Sequence, residues 1–155
     1  MSGARIRQPV LEDAGEIARL DAELGYAADP AQMQARLIEL GKLANHFVAV
    51  AEGDKRLLGW IHAEHRLSLE TGAKAEIVGL VVDPRARRTG VGRLLVDAAE
   101  QWARSRGLGS IVVRSNAARV ESHAFYPGLG YRRSKSQHVY AKTLEAPPRE
   151  PVNHR

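Results

Sequence analysis

The stretch AEIVGLVVDPRARRTGVGRLLV, residues 75–96, decides the fold. From Ala75 to Asp83 it is nearly continuous in apolar residues, the pattern of a central strand covered on both faces. Pro84 then breaks the strand, Gly90 and Gly92 turn the chain, and a helical period begins. Val91, Leu94, Leu95, Ala98, Ala99 and Trp102 recur at i, i+3, i+4, i+7, i+8 and i+11, and Gly107 stands where a left-handed C-terminal cap belongs. A strand feeding a glycine turn that opens a helix gathers unsatisfied backbone N–H groups on one concave surface, with the positive helix end behind them. Glycines admit a ligand close to the main chain, while Arg87 and Arg88 neutralise phosphate oxygens, so the predicted ligand is a diphosphate.

Upstream, Ala4 to Gln8 reads as a short strand, and Leu11 to Leu24 spaces Ala14, Ile17, Ala18, Leu20 and Leu24 as a helix without a capping side chain before it. Gly25, Asp29 and Pro30 mark a loop that contains Tyr26, and Ala31 to Leu40 reads as a second helix. HFVAVAE and LLGWIHAEH, separated by Gly53-Asp54-Lys55-Arg56, read as a β-hairpin. Downstream come a short strand at Ser110 to Arg114, a short helix from Arg119 to Tyr126 that Pro127 and Gly128 should end or kink, and a last strand or hairpin from Tyr131 to about Leu144. The prediction is one mixed α/β domain over residues 1–144, its helices flanking a mostly antiparallel sheet. Residues 145–155, EAPPREPVNHR, form a polar, proline-rich tail.

The 155 residues, 44% hydrophobic, suffice for one core. With no cysteine there is no disulfide framework, thiolate nucleophile or thiolate metal site, and none of the six histidines forms an HExxH pair, so no metal is expected. No apolar run approaches the ~20 residues that cross a bilayer, and Met1 to Val10 lacks a signal-peptide core; a soluble, cytoplasmic protein without a membrane partner is expected. A net charge of +5 fits nucleic acid, an acidic partner or an anionic coenzyme. Two Phe and two Trp without basic interleaving give little basis for nucleic-acid stacking, and no nucleic-acid partner is expected. The positive excess concentrates in the turn, since Val81 to Gly107 holds six arginines against Asp83, Asp97 and Glu100.

Two nucleotide-binding motifs are excluded. A P-loop needs GxxxxGK[ST], and Val91-Gly92-Arg93-Leu94-Leu95 supplies neither the lysine nor the hydroxyl. The dinucleotide fingerprint would require glycine where Leu95 stands. Instead, Val81-Val82-Asp83-Pro84 followed by Arg87-Arg88-Thr89-Gly90-Val91-Gly92 resembles the strand, loop and R/Q-x-x-G-x-G/A signature of the GCN5-related N-acetyltransferases. Arg114-Ser115-Asn116, His123-Ala124-Phe125-Tyr126 and Gly130-Tyr131 resemble that family's second motif at a fitting distance. The resemblance covers nearly the whole chain. It implies acetyl-CoA as cosubstrate, its pyrophosphate on the amides of Arg88 to Arg93, its pantetheine arm along Leu80, Val81 and Val82, and contacts from Arg87 and Asn116.

The resemblance also implies a reaction: direct transfer of the acetyl group to an amine in a ternary complex. That chemistry needs a proton acceptor, a donor to the thioester carbonyl and an acid for the leaving thiolate. Glu76 is the candidate base, since a carboxylate in an apolar strand asks for a reason; a rim position or an arginine partner would also supply one. The backbone N–H of Leu80 is the candidate carbonyl donor, and Gly79 before it suits a β-bulge. Tyr126 is the candidate acid, with core packing as its other reading. Asn116 reads equally as a turn former. Candidates for the acceptor pocket are Tyr26, Trp60, His62, Glu64 and His65; His62 and Glu64 share one strand face, and His62 is the second choice of base. A compact domain favours a small-molecule amine as acceptor. A protein acetyltransferase and a non-catalytic acyl-CoA-binding module are the alternatives, and a homodimer through the C-terminal strands is a further implication of the resemblance.

Overall fold

The predicted central strand proves longer than its apolar run in the computed structural model, which describes residues 3–114 and 120–145. Strand β1 spans Arg5–Arg7, β2 His46–Glu52, β3 Leu57–Ser68, β4 Gly72–Val82 and β5 Ile111–Val113. They form one sheet in the order β1-β2-β3-β4-β5. The first three pairings are antiparallel, and β4 pairs with β5 in parallel after a helical crossover. This is the mixed, mostly antiparallel sheet that the sequence predicts.

Helices α1, Ala14–Glu23, and α2, Pro30–Gly41, pack on one face. Ile17, Leu20, Val50, Leu57 and Val81 form their shared core, with Leu24, Met33, Leu37 and Trp60 against it. The missing cap before α1 is replaced from within. The Asp13 carboxylate accepts the Val10 N–H at 2.8 Å and pairs with Arg7 at 2.8 Å, and this pairing holds the Asp13 carboxyl below its ordinary value against the upward push of burial. Asp29 caps α2 by accepting the Ala31 N–H at 2.9 Å, and Pro30 occupies the first helical position, so the helix starts one residue earlier than predicted.

Helix α3, Val91–Ser105, lies across the other face. Gly59 makes this packing close: a Cβ there would stand 2.6 Å from the Val81 carbonyl oxygen and 3.1 Å from Leu95 Cδ1. The buried stripe of α3 is Val91, Leu95, Val96, Ala99 and Ala103, which corrects the predicted one; Leu94 is exposed. The sheet meets the helix over an arc slightly rotated from the apolar one, because Val96 and Ala103 are small enough to fit against it. Gly107 has φ +74°, the left-handed cap expected of it.

The chain divides into two compact units, Met1–Ala118 and Arg119–Arg155. In the second, α4 runs from Val120 to Gly128 with Pro127 inside its last turn, two residues beyond the predicted end. A proline this close to the C-terminus removes at most a terminal bond of the helix. Residues 131–145 form neither helix nor strand, which overturns the predicted last strand or hairpin and removes the element proposed for a dimer interface. Tyr131 to Glu145 is rich in arginine, lysine and serine and lacks an alternating apolar face to hold it against a sheet. No described helix is long and apolar enough to cross a membrane.

Candidate functional site

The turn between β4 and α3 is built as the sequence suggests, with a rigid support beneath it. Asp83, 1% exposed, accepts the Arg85 N–H at 3.0 Å and so caps a 3-10 turn, Pro84–Ala86. Its other oxygen receives Arg19 Nη1 at 3.1 Å. Arg19 also donates to Glu16 at 2.7 Å and 3.1 Å, to Glu23 at 3.2 Å and to the Leu57 carbonyl at 2.9 Å, while Glu23 receives Arg85 at 2.9 Å. Burial alone would push the Asp83 carboxyl up, but the Arg85 N–H and the Arg19 guanidinium hold it below its ordinary value. Helix α1 is thereby tied to the loop that precedes α3.

Above this support the backbone opens. Arg88 takes φ +66° and Gly90 φ +88°, two left-handed residues that swing the chain into the helix. The Thr89 hydroxyl donates to the Ala86 carbonyl and braces the turn. The first helical bond is Leu94 N–H to Gly90 C=O at 3.0 Å, so the amides of Val91, Gly92 and Arg93 precede the ladder and point outward at the positive end of α3. Among the described residues no acid pairs with Arg87, Arg88 or Arg93. An open groove of about 550 Å3, lined by Gly53, Asp54, Leu58, Arg85, Ala86 and Thr89, runs beside the turn. Free amides, a cation cluster and an adjacent groove fit a diphosphate with an attached nucleotide.

Toward the sheet, β4 bulges. His62 pairs with Gly79 but Ala63 pairs with Ile77, leaving Val78 without a partner on β3. The bulge lies two residues before Leu80 and interrupts the β3–β4 ladder. Gly79 is needed there, since a Cβ would meet the Trp60 ring at 2.7 Å.

Glu76 is buried, 6% exposed, and two guanidinium groups hold it: Arg66 Nη1 at 3.2 Å from both oxygens and Arg114 Nε at 3.3 Å. Among the readings open to it, this geometry is the arginine partner. Register puts Glu64 opposite both Glu76 and His46. His62 Nε2 lies 2.8 Å from His46 Nδ1, and burial together with the neighbouring His46 lowers the His62 pKa to about 4. His65 is drawn away to the α3 side, where Arg106 Nε donates to its Nδ1 at 2.9 Å. Tyr26 is half exposed, and its backbone N–H bonds the Asp21 carbonyl at 3.0 Å. Tyr126 belongs to the second unit, where its ring meets Phe125 and Tyr131 edge-on. Asn116 lies outside the described residues.

The structure brings the acceptor-pocket candidates Trp60 and His62 to one cavity and adds Asp21 and Arg36 to them. Trp60 Nε1 donates to Asp21 Oδ1 at 3.0 Å, and both line a cavity of about 210 Å3 between α1, α2 and the sheet, together with Arg36 and His62. Asp21 had one legible signal: it follows Ile17 by four positions, an acid on the apolar face of a helix. Arg19, Arg66 and His46 act through partners on other elements, which spacing along the chain does not reveal.

The family described as Acetyltransferase (GNAT) family matches residues 12–131. A mycothiol acetyltransferase from Rhodococcus opacus is 28% identical over 141 residues, covering 85% of this chain but only 46% of its own length. The chain thus spans less than half of that relative. An aminoglycoside N(6')-acetyltransferase type 1 from Stenotrophomonas maltophilia is 26% identical over 149 residues, covering 93% of this chain and 96% of its own. Among solved structures, an aminoglycoside N-acetyltransferase AAC(6')-Iy in complex with CoA superposes with a TM-score of 0.81 at 20% identity, over 93% of this chain and 97% of that one. At that identity the superposition speaks for the fold alone. With the family's match spanning strands β2 to β5, the phosphate-type turn and α4, the chain belongs to the acetyltransferase (GNAT) family.

Proposed function

We propose that this chain is an acetyl-CoA-dependent N-acetyltransferase whose acceptor is a small-molecule amine. The observation that carries the reading is the turn before α3, where three outward amides and three arginines without acid partners among the described residues meet in a member of this family. The bound coenzyme supplies an acetyl thioester, whose C–S bond breaks as the amine nitrogen forms a bond to the carbonyl carbon. The chain's own groups then have separate tasks. Val91, Gly92 and Arg93 N–H groups and the side chains of Arg87, Arg88 and Arg93 bind the diphosphate, and Leu80, Val81 and Val82 guide the pantetheine arm. The Leu80 N–H polarises the carbonyl, Glu76 or His62 accepts the ammonium proton, and Tyr126 returns a proton to the thiolate.

The test is a thermal-shift titration with acetyl-CoA, CoA, ATP and NAD in parallel. At ~100 times its Kd a ligand stabilises the fold by about 2.7 kcal/mol, which in a domain of this size raises Tm by roughly 5–11 °C. A shift with both CoA forms alone supports the reading; an equal shift with ATP, or none with CoA, overturns it. Glu76→Gln, His62→Gln and Tyr126→Phe then separate the roles, because a true proton carrier loses kcat while coenzyme binding persists. The two arginines on Glu76 favour one alternative, a non-catalytic acyl-CoA-binding module. It predicts the same shift with no acetyl transfer.

A further inference from the structure

The cavity between α1, α2 and the sheet has a chemistry of its own. We infer, on the acetyltransferase reading above, that it receives the acceptor, and that the acceptor is a compact amine with an apolar body and a single cationic group held by Asp21.

Size comes first. At about 210 Å3 the cavity is smaller than the ~300–1,000 Å3 sites that enclose drug-sized ligands. Its walls are apolar on the helix side, Ile17, Met33, Leu37 and Leu40, with Val48 from β2. One acid, Asp21, and one guanidinium, Arg36, also line it, so its charges cancel. A polycationic sugar would bring several ammonium groups to a lining that can match one of them.

Asp21 supplies that match. Its side chain is buried, 7% exposed, with Oδ1 taken by the Trp60 indole N–H at 3.0 Å. Oδ2 receives no hydrogen bond from the described residues, yet no buried side-chain oxygen among them lacks a partner, so Oδ2 is accessible on a residue that lines the cavity. Arg36 lies close enough to lower the carboxyl's proton affinity but forms no ion pair with it among the described residues. Burial wins, and the Asp21 carboxyl is raised above its ordinary value: a carboxylate that lacks a close counter-charge. An ammonium group on Oδ2 provides it.

Position fits as well. The Trp60 indole N–H holds Asp21 while the far edge of the same ring lies against Gly79, beside the β4 bulge that precedes Leu80. His62 lines the cavity and pairs with Gly79 across the ladder. An amine lodged against Trp60 and His62 therefore sits next to the strand on which the reading above places the thioester carbonyl.

The test uses the full chain saturated with CoA, titrated calorimetrically with hexylamine, phenethylamine, spermidine and kanamycin, and an acetyl-transfer assay with the same amines. The two monoamines should bind and, where turnover occurs, show at least a tenfold higher kcat/KM than spermidine or kanamycin. Asp21→Asn keeps an acceptor for Trp60 but loses the charge; it should raise Kd and KM for the monoamines about tenfold or more, with kcat within twofold and the CoA-induced thermal shift intact. Leu37→Phe, which narrows the cavity, should weaken phenethylamine more than hexylamine. A preference for kanamycin or spermidine, or unchanged monoamine binding in Asp21→Asn, overturns the inference while leaving the acetyltransferase reading in place. Absent CoA binding overturns that reading instead. Monoamine binding without acetyl transfer upholds the pocket and refutes the activity.

Discussion

Asp83 is the side chain on which the turn before α3 rests, and Asp83→Ala should cost stability and, on the proposed function, CoA affinity together. Two bonds vanish. The Arg85 N–H, 3.0 Å away, loses its capping acceptor, worth about 1 kcal/mol. Arg19 loses a charge partner at 3.1 Å that is 1% exposed, and breaking a buried ion pair costs about 3–5 kcal/mol. Arg19 is itself a quarter exposed and keeps Glu16, Glu23 and the Leu57 carbonyl, so the lower end applies and the total is about 4 kcal/mol. In a domain of this size that lowers Tm by roughly 8–16 °C. Asp83→Asn retains an acceptor for the Arg85 N–H and should lose about half as much. Urea unfolding of wild type, both variants, Arg19→Met and the Arg19→Met/Asp83→Ala pair measures the ion-pair coupling directly, with ~1 kcal/mol or more expected. A loss below ~1 kcal/mol in Asp83→Ala, or additive effects in the double variant, would refute the support role. The pH dependence follows from the same pair. The folded Asp83 carboxyl lies below its unfolded value of 3.8, so its contribution is complete above that pH and is lost as pH falls through the folded value.

Three further outcomes are expected. His62, with a folded pKa of about 4 against 6.5 unfolded, binds its proton later than the unfolded chain does; stability should fall as pH drops from 6.5 toward 4, by at most about 1.4 kcal/mol per unit, and NMR titration of the imidazole reads the value directly. Gly59→Ala places a Cβ 2.6 Å from the Val81 carbonyl oxygen and 3.1 Å from Leu95, and should destabilise by about 1–3 kcal/mol in chemical unfolding. Arg88→Gly relieves a φ of +66° yet removes a phosphate contact that the proposed function assigns to it, so Tm should hold or rise slightly while CoA affinity falls and becomes less dependent on salt.

Much of the fold was legible because it is local. Apolar continuity over Ala75 to Asp83, the Gly53 to Arg56 turn and the helical period from Val91 each report on neighbours within a few residues, and each element formed where its pattern lies. The phosphate-type turn was legible for the same reason, since its amides belong to one helix end and its glycines and arginines to a single loop. Where period and packing disagree, packing prevailed: Leu94 fits the stripe of α3 yet is exposed, because the sheet contacts the arc through Val96 and Ala103. The segment from Tyr131 to Glu145 carries β-forming residues but no neighbour-facing alternation, and local propensity alone did not make it a strand.

What the sequence determined by itself, then, is the order of the elements as far as α4, the glycine turn that opens α3 and the family, all carried by short spacings that chain connectivity preserves. Tertiary structure alone decided which charges meet. Arg19 reaches Asp83 across 64 residues, Arg66 and Arg114 close on Glu76, and Trp60 reaches Asp21 across 39, because sheet register and helix docking bring those side chains together. Ion pairs and cavities are properties of distance in space, and only the packed sheet and helices fix that distance.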